Sequence, residues 1–257
     1  MTYLVTPAVL IIITVENEED VMVTITAIVP AAGCGARAGL NGNKILAPVL
    51  ERPILTWTLE ALLKAPWSEA NAELVQLIVV ARAEEFELIR LAAPVIPEGV
   101  EFTVIEGGDT RQDSVEAGLN ASIGAYVLVH DAARPCLSGD LILRCVTRGI
   151  RAGAAIAALP ASDTVKWAQE KRADEIKSTL PRERIHLAQT PQVFWRGTLL
   201  KAFKKAHETG FKGTDCSSLV ENAGGRVALV EGERTNFKVT FPDDLGRAEA
   251  VLARGLS

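Results

Sequence analysis

Residues 22–44 read MVTITAIVPAAGCGARAGLNGNK, an apolar run followed directly by a loop of small residues. The run VTITAIV (23–29) is rich in β-branched and apolar residues, which is typical of a buried strand. The loop after it contains two positive charges, Arg37 and Lys44. Small residues let backbone N–H groups approach an anion closely, so the stretch predicts a strand that ends in a phosphate-binding loop. The alternative is a tight strand-to-helix turn with two solvated cations.

Strand-like and helix-like segments alternate along the first 160 residues. Apolar runs predict strands at 23–29, 74–81, 101–107, 125–131 and 154–160. Apolar residues at helical spacing predict helices at 54–65, 84–93, 112–122 and 141–152. This order predicts a doubly wound, Rossmann-like α/β fold with a mostly parallel sheet. Ligands of such folds bind beyond the carboxyl ends of the strands, where the glycine loop lies.

The alternation ends after Pro160. Residues 161–188 are rich in charge and lack a long apolar face, which predicts a protruding β-arm or, alternatively, a floppy surface insertion. Helices are predicted again at 197–210 and 217–224, then strands at 226–232 and 236–240, and a last helix from Pro242. We interpret residues 22–257 as one domain.

Residues 1–21 form an N-terminal extension to that domain. The apolar run at 3–15 is too short to span a bilayer, which takes about 20 residues. No basic segment precedes this run, so it is a poor signal peptide. The extension is an extra strand, a loose segment, or a stretch that precedes the biological start at Met22.

Charge and cysteine content narrow the class of protein. The formal net charge of −5 argues against a nucleic-acid-binding surface. The cysteines show no metal-binding spacing, which favours reduced thiols and a cytoplasmic location. We expect neither a nucleic-acid partner nor a membrane partner.

The glycine spacing matches neither standard phosphate loop. Gly33, Gly35 and Gly39 are one residue too widely spaced for the dinucleotide pattern G-x-G-x-x-G. The Walker pattern also fails, because Lys44 is followed by Ile45. A nicotinamide-dependent oxidoreductase is therefore a disfavoured alternative. A fixed guanidinium and a mobile ammonium in the loop suit a triphosphate whose charge shifts during a reaction.

Three further segments carry polar residues at places where ligands bind. GGDTRQDSVEAGL (107–119) puts Arg111 and Ser114 in the first turn of a predicted helix. VHDAARP (129–135) puts Asp131 at a strand end, where a lone carboxylate beside a polyphosphate fits Mg²⁺. NFKVTFPDDL (236–245) contains Lys238 between apolar residues.

These segments together resemble the 2-C-methyl-D-erythritol 4-phosphate cytidylyltransferases of the non-mevalonate isoprenoid pathway. The similarity covers about residues 23–255, and any one motif alone is weak. Seven motifs occur in the family's order: PAAGCGAR with Lys44, GGDTRQDSV, VHDAARP, DTVK, AQTPQ, TDCSS and NFKVT.

The resemblance implies a nucleotidyltransferase that transfers a cytidylyl group from CTP to methylerythritol phosphate with Mg²⁺. It implies catalytic roles for Arg37, Lys44, Arg182 and Lys238, and a metal site at Asp131. The expected nucleotide-binding residues are Ala31, Ala32, Gly33, Gly35, Gly108, Asp109, Arg111, Ser114 and Ala132. The expected sugar-phosphate-binding residues are Thr164, Arg182, Thr214 and Lys238. The resemblance also implies a homodimer, in which the arm carries Arg182 into the partner's site.

The chain departs from the family pattern around the loop lysine. The family usually has Pro-Lys-Gln, whereas this chain has Asn43, Lys44 and Ile45. We expect the loss of proline to free the loop, and Ile45 to remove hydrogen-bonding capacity. Ala38 also replaces a common methionine. Two related alternatives remain, a ribitol-5-phosphate cytidylyltransferase and a catalytically silent nucleotide-binding protein.

Overall fold

The computed structural model describes residues 22–33, 43–170, 172 and 174–255. The predicted N-terminal extension therefore lies outside the described residues. The strands are, in chain order, β1 (Val23–Pro30), β2 (Pro48–Val49), β3 (Arg52–Pro53), β4 (Ala72–Ala81), β5 (Glu101–Glu106), β6 (Tyr126–Val129), β7 (Ala154–Pro160), β8 (Lys166–Ala168), β9 (Ile176–Thr179), β10 (His186–Trp195) and β11 (Ala228–Glu231).

The α-helices lie between and after these strands. They are α1 (Ile54–Leu63), α2 (Phe86–Ala92), α3 (Arg111–Ala121), α4 (Gly139–Ala152), α5 (Arg196–Thr209), α6 (Cys216–Asn222) and α7 (Asp243–Leu252). Short 3-10 turns occupy Lys44–Leu46, Trp67–Ala70, Ala83–Glu85 and Arg182–Arg184. No helix of the described residues is both long enough and apolar enough to cross a bilayer.

Seven strands form the central sheet, in the order β11-β7-β10-β6-β1-β4-β5. All neighbours are parallel except β10, which runs antiparallel to both β6 and β7. Helices cover both faces of this sheet, so the predicted doubly wound α/β fold is confirmed. The chain moves from β1 towards β5 and then crosses to β6 on the other side of β1, which creates a switch point at the carboxyl edge.

The alternating side chains of β1 pack into two separate apolar cores, one on each face of the sheet. Ile25, Ala27 and Val29 pack on one face with apolar residues of α1, α2 and α4. Ile28 packs on the opposite face with residues of α3, α5 and α6. Because successive strand side chains point to opposite faces, a continuously apolar strand serves both layers.

Several boundaries differ from the sequence-based expectations. The helix expected at 84–93 is split into a 3-10 turn at Ala83–Glu85 and α2. The strand expected at 125–131 ends at Val129, so Asp131 lies two residues beyond it. The short strand expected at 236–240 is wrong, because this segment pairs with loops: the Val239 N–H, for example, donates to the Ala133 carbonyl at 2.8 Å.

The charged excursion after β7 contains a small hairpin. Strands β8 and β9 pair antiparallel to each other and stand outside the central sheet. All their residues are exposed, including Trp167 and Ile176 at 55% and 61%. The chain rejoins the sheet at β10, which contains the AQTPQ motif.

The contact between α4 and β10 supplies a stability test. A Cβ added at Gly149 in α4 would lie 2.6 Å from Val193 Cγ1, whereas one added at Gly246 in α7 meets nothing within 4 Å. We predict that Gly149→Ala lowers the free energy of unfolding by about 1–3 kcal/mol through overpacking. The matched Gly246→Ala should raise it by about 0.5–1 kcal/mol. Denaturant unfolding measures both values, and a stabilised Gly149→Ala protein would contradict the packing described here.

Candidate active site

A cavity of about 370 Å³ opens at the carboxyl edge of the sheet, where the loops after β1, β5 and β6 meet. Many of the predicted site residues line it together: Ala31, Ala32, Gly33, Lys44, Gly108, Asp109, Arg111, Ser114, Asp131, Ala132 and Lys238. Three other lining residues, Pro30, Thr110 and Ala133, were not singled out from the sequence. They sit inside the motifs already quoted, so motif membership was the available signal.

The N-terminus of α3 forms one wall of the cavity. Thr110 caps this helix: its hydroxyl accepts from the Asp113 N–H at 3.1 Å, and Asp113 Oδ2 accepts from the Thr110 N–H at 2.9 Å. This capping box fixes the helix start, so that Arg111 is the first helical residue. The positive end of the helix and the Arg111 guanidinium both favour an anion in the cavity.

Three cations surround the Asp131 carboxylate. Arg111 donates from Nε and Nη2 to Oδ1 at 3.0 and 2.9 Å, and Lys238 Nζ lies 2.9 Å from Oδ2. Arg134 adds its charge, with Nε 3.7 Å from Oδ2. Burial alone would raise the pKa of Asp131, but these charges more than offset it and hold the pKa well below its ordinary value. Asp131 is therefore an anion with both oxygens occupied.

Hydrogen bonds through Thr190 connect His130 to the backbone of Asp131. The Asp131 N–H donates to Thr190 Oγ1 at 3.1 Å, and the Thr190 hydroxyl lies 3.0 Å from His130 Nδ1. The Arg134 carbonyl can only accept, so His130 Nε2–H donates to it at 3.2 Å. In the neutral ring Nδ1 is then the acceptor, and the Thr190 O–H donates to it. His130 is completely buried, and burial lowers its pKa to about 4. It is a neutral positioning residue.

Buried hydrogen bonds hold the segment that carries Lys238. Asn236 Nδ2 donates to the Thr190 carbonyl at 2.7 Å, and Arg134 Nη1 donates to the Asn236 carbonyl at 2.7 Å. These contacts join the NFKVT, AQTPQ and VHDAARP motifs into one network. Asn236, Thr190 and Arg134 were not singled out from the sequence, because their partners are distant in the chain.

Other predicted site residues do not line this cavity. Thr164, Arg182 and Thr214 are all exposed, and Arg182 Nη1 donates to the Ser162 carbonyl within the arm at 3.1 Å. Gly35 and Arg37 lie outside the described residues, as does Ala38. The structure thus brings together the residues expected around the nucleotide and Lys238, but not the rest of the expected sugar-phosphate set.

The structure describes both departures beside Lys44, and it contradicts the expectation only at Asn43. Asn43 does not free this part of the chain: its buried amide donates to the Ala31 carbonyl at 2.8 Å and to Glu85 Oε2 at 2.9 Å. Ile45 is also buried and packs in the core below the cavity. Its side chain has no hydrogen-bonding group, as expected, and contributes apolar packing.

The described residues contain no group of three or more Asp, Glu, His or Cys side chains that could enclose a metal ion. Two carboxylates line the cavity, Asp109 and Asp131, and Asp131 is the one that contacts the cations Arg111 and Lys238. A single carboxylate fits Mg²⁺ when phosphate oxygens and water supply the other ligands. The donor set therefore suits a metal that arrives with a polyphosphate.

The burial of His130 leads to a pH prediction. Between pH 6.5 and about 4 the unfolded chain binds a proton that the folded chain does not, so acidification favours unfolding. In this window, proton binding to His130 of the unfolded chain lowers the free energy of unfolding by up to about 1.4 kcal/mol for each unit that the pH falls. We predict that His130→Gln has a shallower decline of unfolding free energy, measured by denaturant titration, than the parent chain. The exposed His186→Gln is the control, and equal slopes in all three proteins would refute this account.

Comparison with known proteins identifies the family of this chain. The sequence model of the 2-C-methyl-D-erythritol 4-phosphate cytidylyltransferase family matches residues 25–254. The enzyme of that name from Gloeobacter violaceus is 39% identical over 227 residues, covering 88% of this chain and 94% of the relative. The Bacillus licheniformis enzyme is 37% identical over 226 residues, with coverage of 88% and 94%.

Solved structures lead to the same family. The Thermus thermophilus enzyme is 35% identical with a TM-score of 0.69, covering 91% of this chain and 100% of that one. The Anaerococcus prevotii 4-diphosphocytidyl-2C-methyl-D-erythritol synthase is 27% identical with a TM-score of 0.76, covering 90% and 96%. The family suggested by the seven ordered motifs is confirmed. This chain belongs to the 2-C-methyl-D-erythritol 4-phosphate cytidylyltransferase family.

Proposed function

We propose that this protein transfers the cytidylyl group of CTP to 2-C-methyl-D-erythritol 4-phosphate, giving 4-diphosphocytidyl-2-C-methyl-D-erythritol and pyrophosphate. One observation carries the proposal beyond family membership: the cavity gathers residues of four separate motifs around a helix N-terminus and three cations, Lys44, Arg111 and Lys238. This arrangement suits a nucleoside triphosphate.

The reaction is an in-line displacement at phosphorus. A phosphate oxygen of methylerythritol phosphate forms a bond to the α-phosphorus of CTP, the bond from that phosphorus to the α,β-bridging oxygen breaks, and pyrophosphate leaves. The attacking oxygen is already anionic, so the step requires no general base. This agrees with His130, which is buried and occupied by hydrogen bonds on both nitrogens.

Small residues of the cavity wall leave room for the cytidine. The residues assigned to the base and ribose are Ala31, Ala32, Gly33, Gly35, Gly108, Asp109, Ser114 and Ala132, with Arg111 beside them. Arg37 and Lys44 are assigned to the phosphates. Their charge offsets the charge that builds up on the phosphate oxygens as the bonds exchange.

Asp131 and Mg²⁺ are assigned to the triphosphate side of the cavity. Asp131 would hold the ion, which supplies charge neutralisation on the phosphate oxygens when it is bound. Arg111 and Lys238 already contact both Asp131 oxygens. An incoming triphosphate would offer these two cations additional anionic partners. Lys238 lies at the cavity wall and can serve the sugar phosphate from that position.

The arm is assigned to a homodimer with shared active sites. Thr164 and Arg182 sit in the excursion between β7 and β10, and both are exposed and away from the cavity of their own chain. The hairpin also exposes Trp167 and Ile176. A partner subunit that covers these side chains would receive Arg182 in its own site.

We assign the protein to the cytoplasm. The cysteines among the described residues, Cys136, Cys145 and Cys216, are buried free thiols, which suits a reducing compartment. Burial also raises the pKa of Cys216 to about 11, so this thiol stays protonated beside the site.

The substrate assignment is tested by pyrophosphate release with CTP and Mg²⁺. We predict that kcat/KM for methylerythritol phosphate exceeds that for ribitol 5-phosphate by at least about 100-fold, because hydrogen-bonded polyol recognition discriminates strongly. ATP, GTP and UTP serve as nucleotide controls. Preference for ribitol 5-phosphate would establish the rival activity, and CTP binding without pyrophosphate release would indicate a silent binding protein.

The shared site is tested by mixing two inactive variants, Lys44→Ala and Arg182→Ala. In a mixed dimer, the Arg182→Ala chain contributes an intact cavity, and the Lys44→Ala chain contributes an intact arm to that cavity. The other site of the same dimer lacks both Lys44 and Arg182. Random pairing of equal amounts places about half of the chains in mixed dimers with one good site of two, so we expect about one quarter of the parent activity.

Arg184→Ala is the matched control for the loss of an exposed arginine in the same turn. Subunit exchange is followed with two different affinity tags. Persistent inactivity in a mixture that has demonstrably exchanged its subunits would disprove the shared site.

A further inference from the structure

The side chain of Asn43 connects three parts of the molecule that are distant in sequence. Its Nδ2 donates to the carbonyl of Ala31, directly after β1, at 2.8 Å. The same nitrogen donates to Glu85 Oε2 at 2.9 Å. Its Oδ1 accepts from the Ile45 N–H at 3.3 Å, which caps the 3-10 turn Lys44–Leu46. One buried amide thus contacts the cavity wall, the segment after β4 and the turn that begins with Lys44.

The amide uses its full donor capacity in this position. An Asn NH₂ group has two N–H bonds, and here one is available for a carbonyl and one for a carboxylate. Glu85 is itself buried and is held by the Arg82 guanidinium. Each of these groups would be costly to bury without a hydrogen-bond partner, so the contacts stabilise one arrangement of the three segments.

This arrangement fixes the base of Lys44 relative to the nucleotide cavity. Lys44 directly follows Asn43, and both Ala31 and Lys44 line the cavity. On the other side of Lys44, Ile45 is anchored in the apolar core. The backbone of Lys44 is therefore held on both sides, by Asn43 and by Ile45, and its long side chain extends to the cavity.

The backbone at Asn43 shows how this chain replaces the proline typical of the family. Asn43 has φ −76°, which lies within the range that proline imposes. A proline would fix this dihedral angle through its ring but would supply no side-chain donor. Here the dihedral angle is held by hydrogen bonds from the side chain instead.

We infer that Asn43 is a positioning residue for cytidylyl transfer, which orients Lys44 towards the phosphates of CTP through its bonds to Ala31 and Glu85. The inference rests on the proposed role of Lys44. Asn43 itself does not touch the substrate. Its effect is therefore on turnover, because misplacing a charge that acts in the transition state lowers kcat more than substrate binding.

The experiment uses Asn43→Asp in the full-length chain. Aspartate has the same shape and keeps an oxygen for the Ile45 N–H, but it loses both donors and faces Glu85 with a second carboxylate. We expect kcat to fall at least about 10-fold while KM for CTP stays within about 3-fold. Glu85→Gln supplies an amide that can donate to the introduced carboxylate, so the double variant should recover part of the kcat lost in Asn43→Asp. It should stay below Glu85→Gln alone, because the bond to the Ala31 carbonyl is still missing. Asn120→Asp, at an exposed position of α3, is the control.

A second variant covers the case in which Asn43→Asp does not fold. Asn43→Ser keeps a short capping oxygen without the reach to Ala31 or Glu85, and we expect the same fall in kcat. If Asn43→Asp or the folded Asn43→Ser has kcat within 2-fold of the parent, Asn43 has no positioning role. If the double variant recovers no kcat above Asn43→Asp, the bond to Glu85 has no part in that role. Lys44→Ala separates the two ideas: normal turnover in that variant would refute the role of Lys44 itself.

Discussion

The buried carboxylate of Asp131 is an anion because Arg111, Lys238 and Arg134 surround it. These cations come from three different segments: the start of α3, the loop after β6 and the segment before α7. An isolated charge at this depth would be very costly to bury. The attraction between the Asp131 carboxylate and the three cations therefore holds the segments together. The Asp131 cluster thereby forms one side of the cavity.

A network of neutral side chains holds the loop that carries Asp131 in one position. His130, Thr190 and Asn236 are buried and join the loops with hydrogen bonds. Burial lowers the pKa of His130 to about 4, so the imidazole adds no fourth positive charge near neutral pH. The cations around Asp131 can then interact with a polyphosphate while the loop backbone stays in place.

The opposite side of the cavity depends on a different kind of support. There, Asn43 links the end of β1 to the turn of Lys44, and Ile45 packs below it. The glycine-rich stretch between these points was expected to be the catalytic loop, and Gly35 and Arg37 belong to the part that the structure does not describe. The described ends of the stretch nevertheless show that a side-chain amide can take over the restraint usually associated with proline.

Local sequence patterns were sufficient for most of the secondary structure. The strand at 154–160 has the predicted bounds, and α3 begins within one residue of the expectation. The pattern of 236–240 was misleading, because alternation of apolar and polar residues is typical of a strand whether or not a partner strand exists. Here the partners of that segment are loop carbonyls, and no local pattern announces them.

The sequence alone determined the fold class, the family and most of the residues that line the cavity, because hydrophobic periodicity and ordered motifs are local properties. The tertiary structure decided which polar groups meet. Asn43 looked like the loss of a restraint until Glu85, 42 positions away, was found beside it. Hydrogen bonds between distant segments depend on how the strands are ordered in the sheet, and that order is a property of the folded chain.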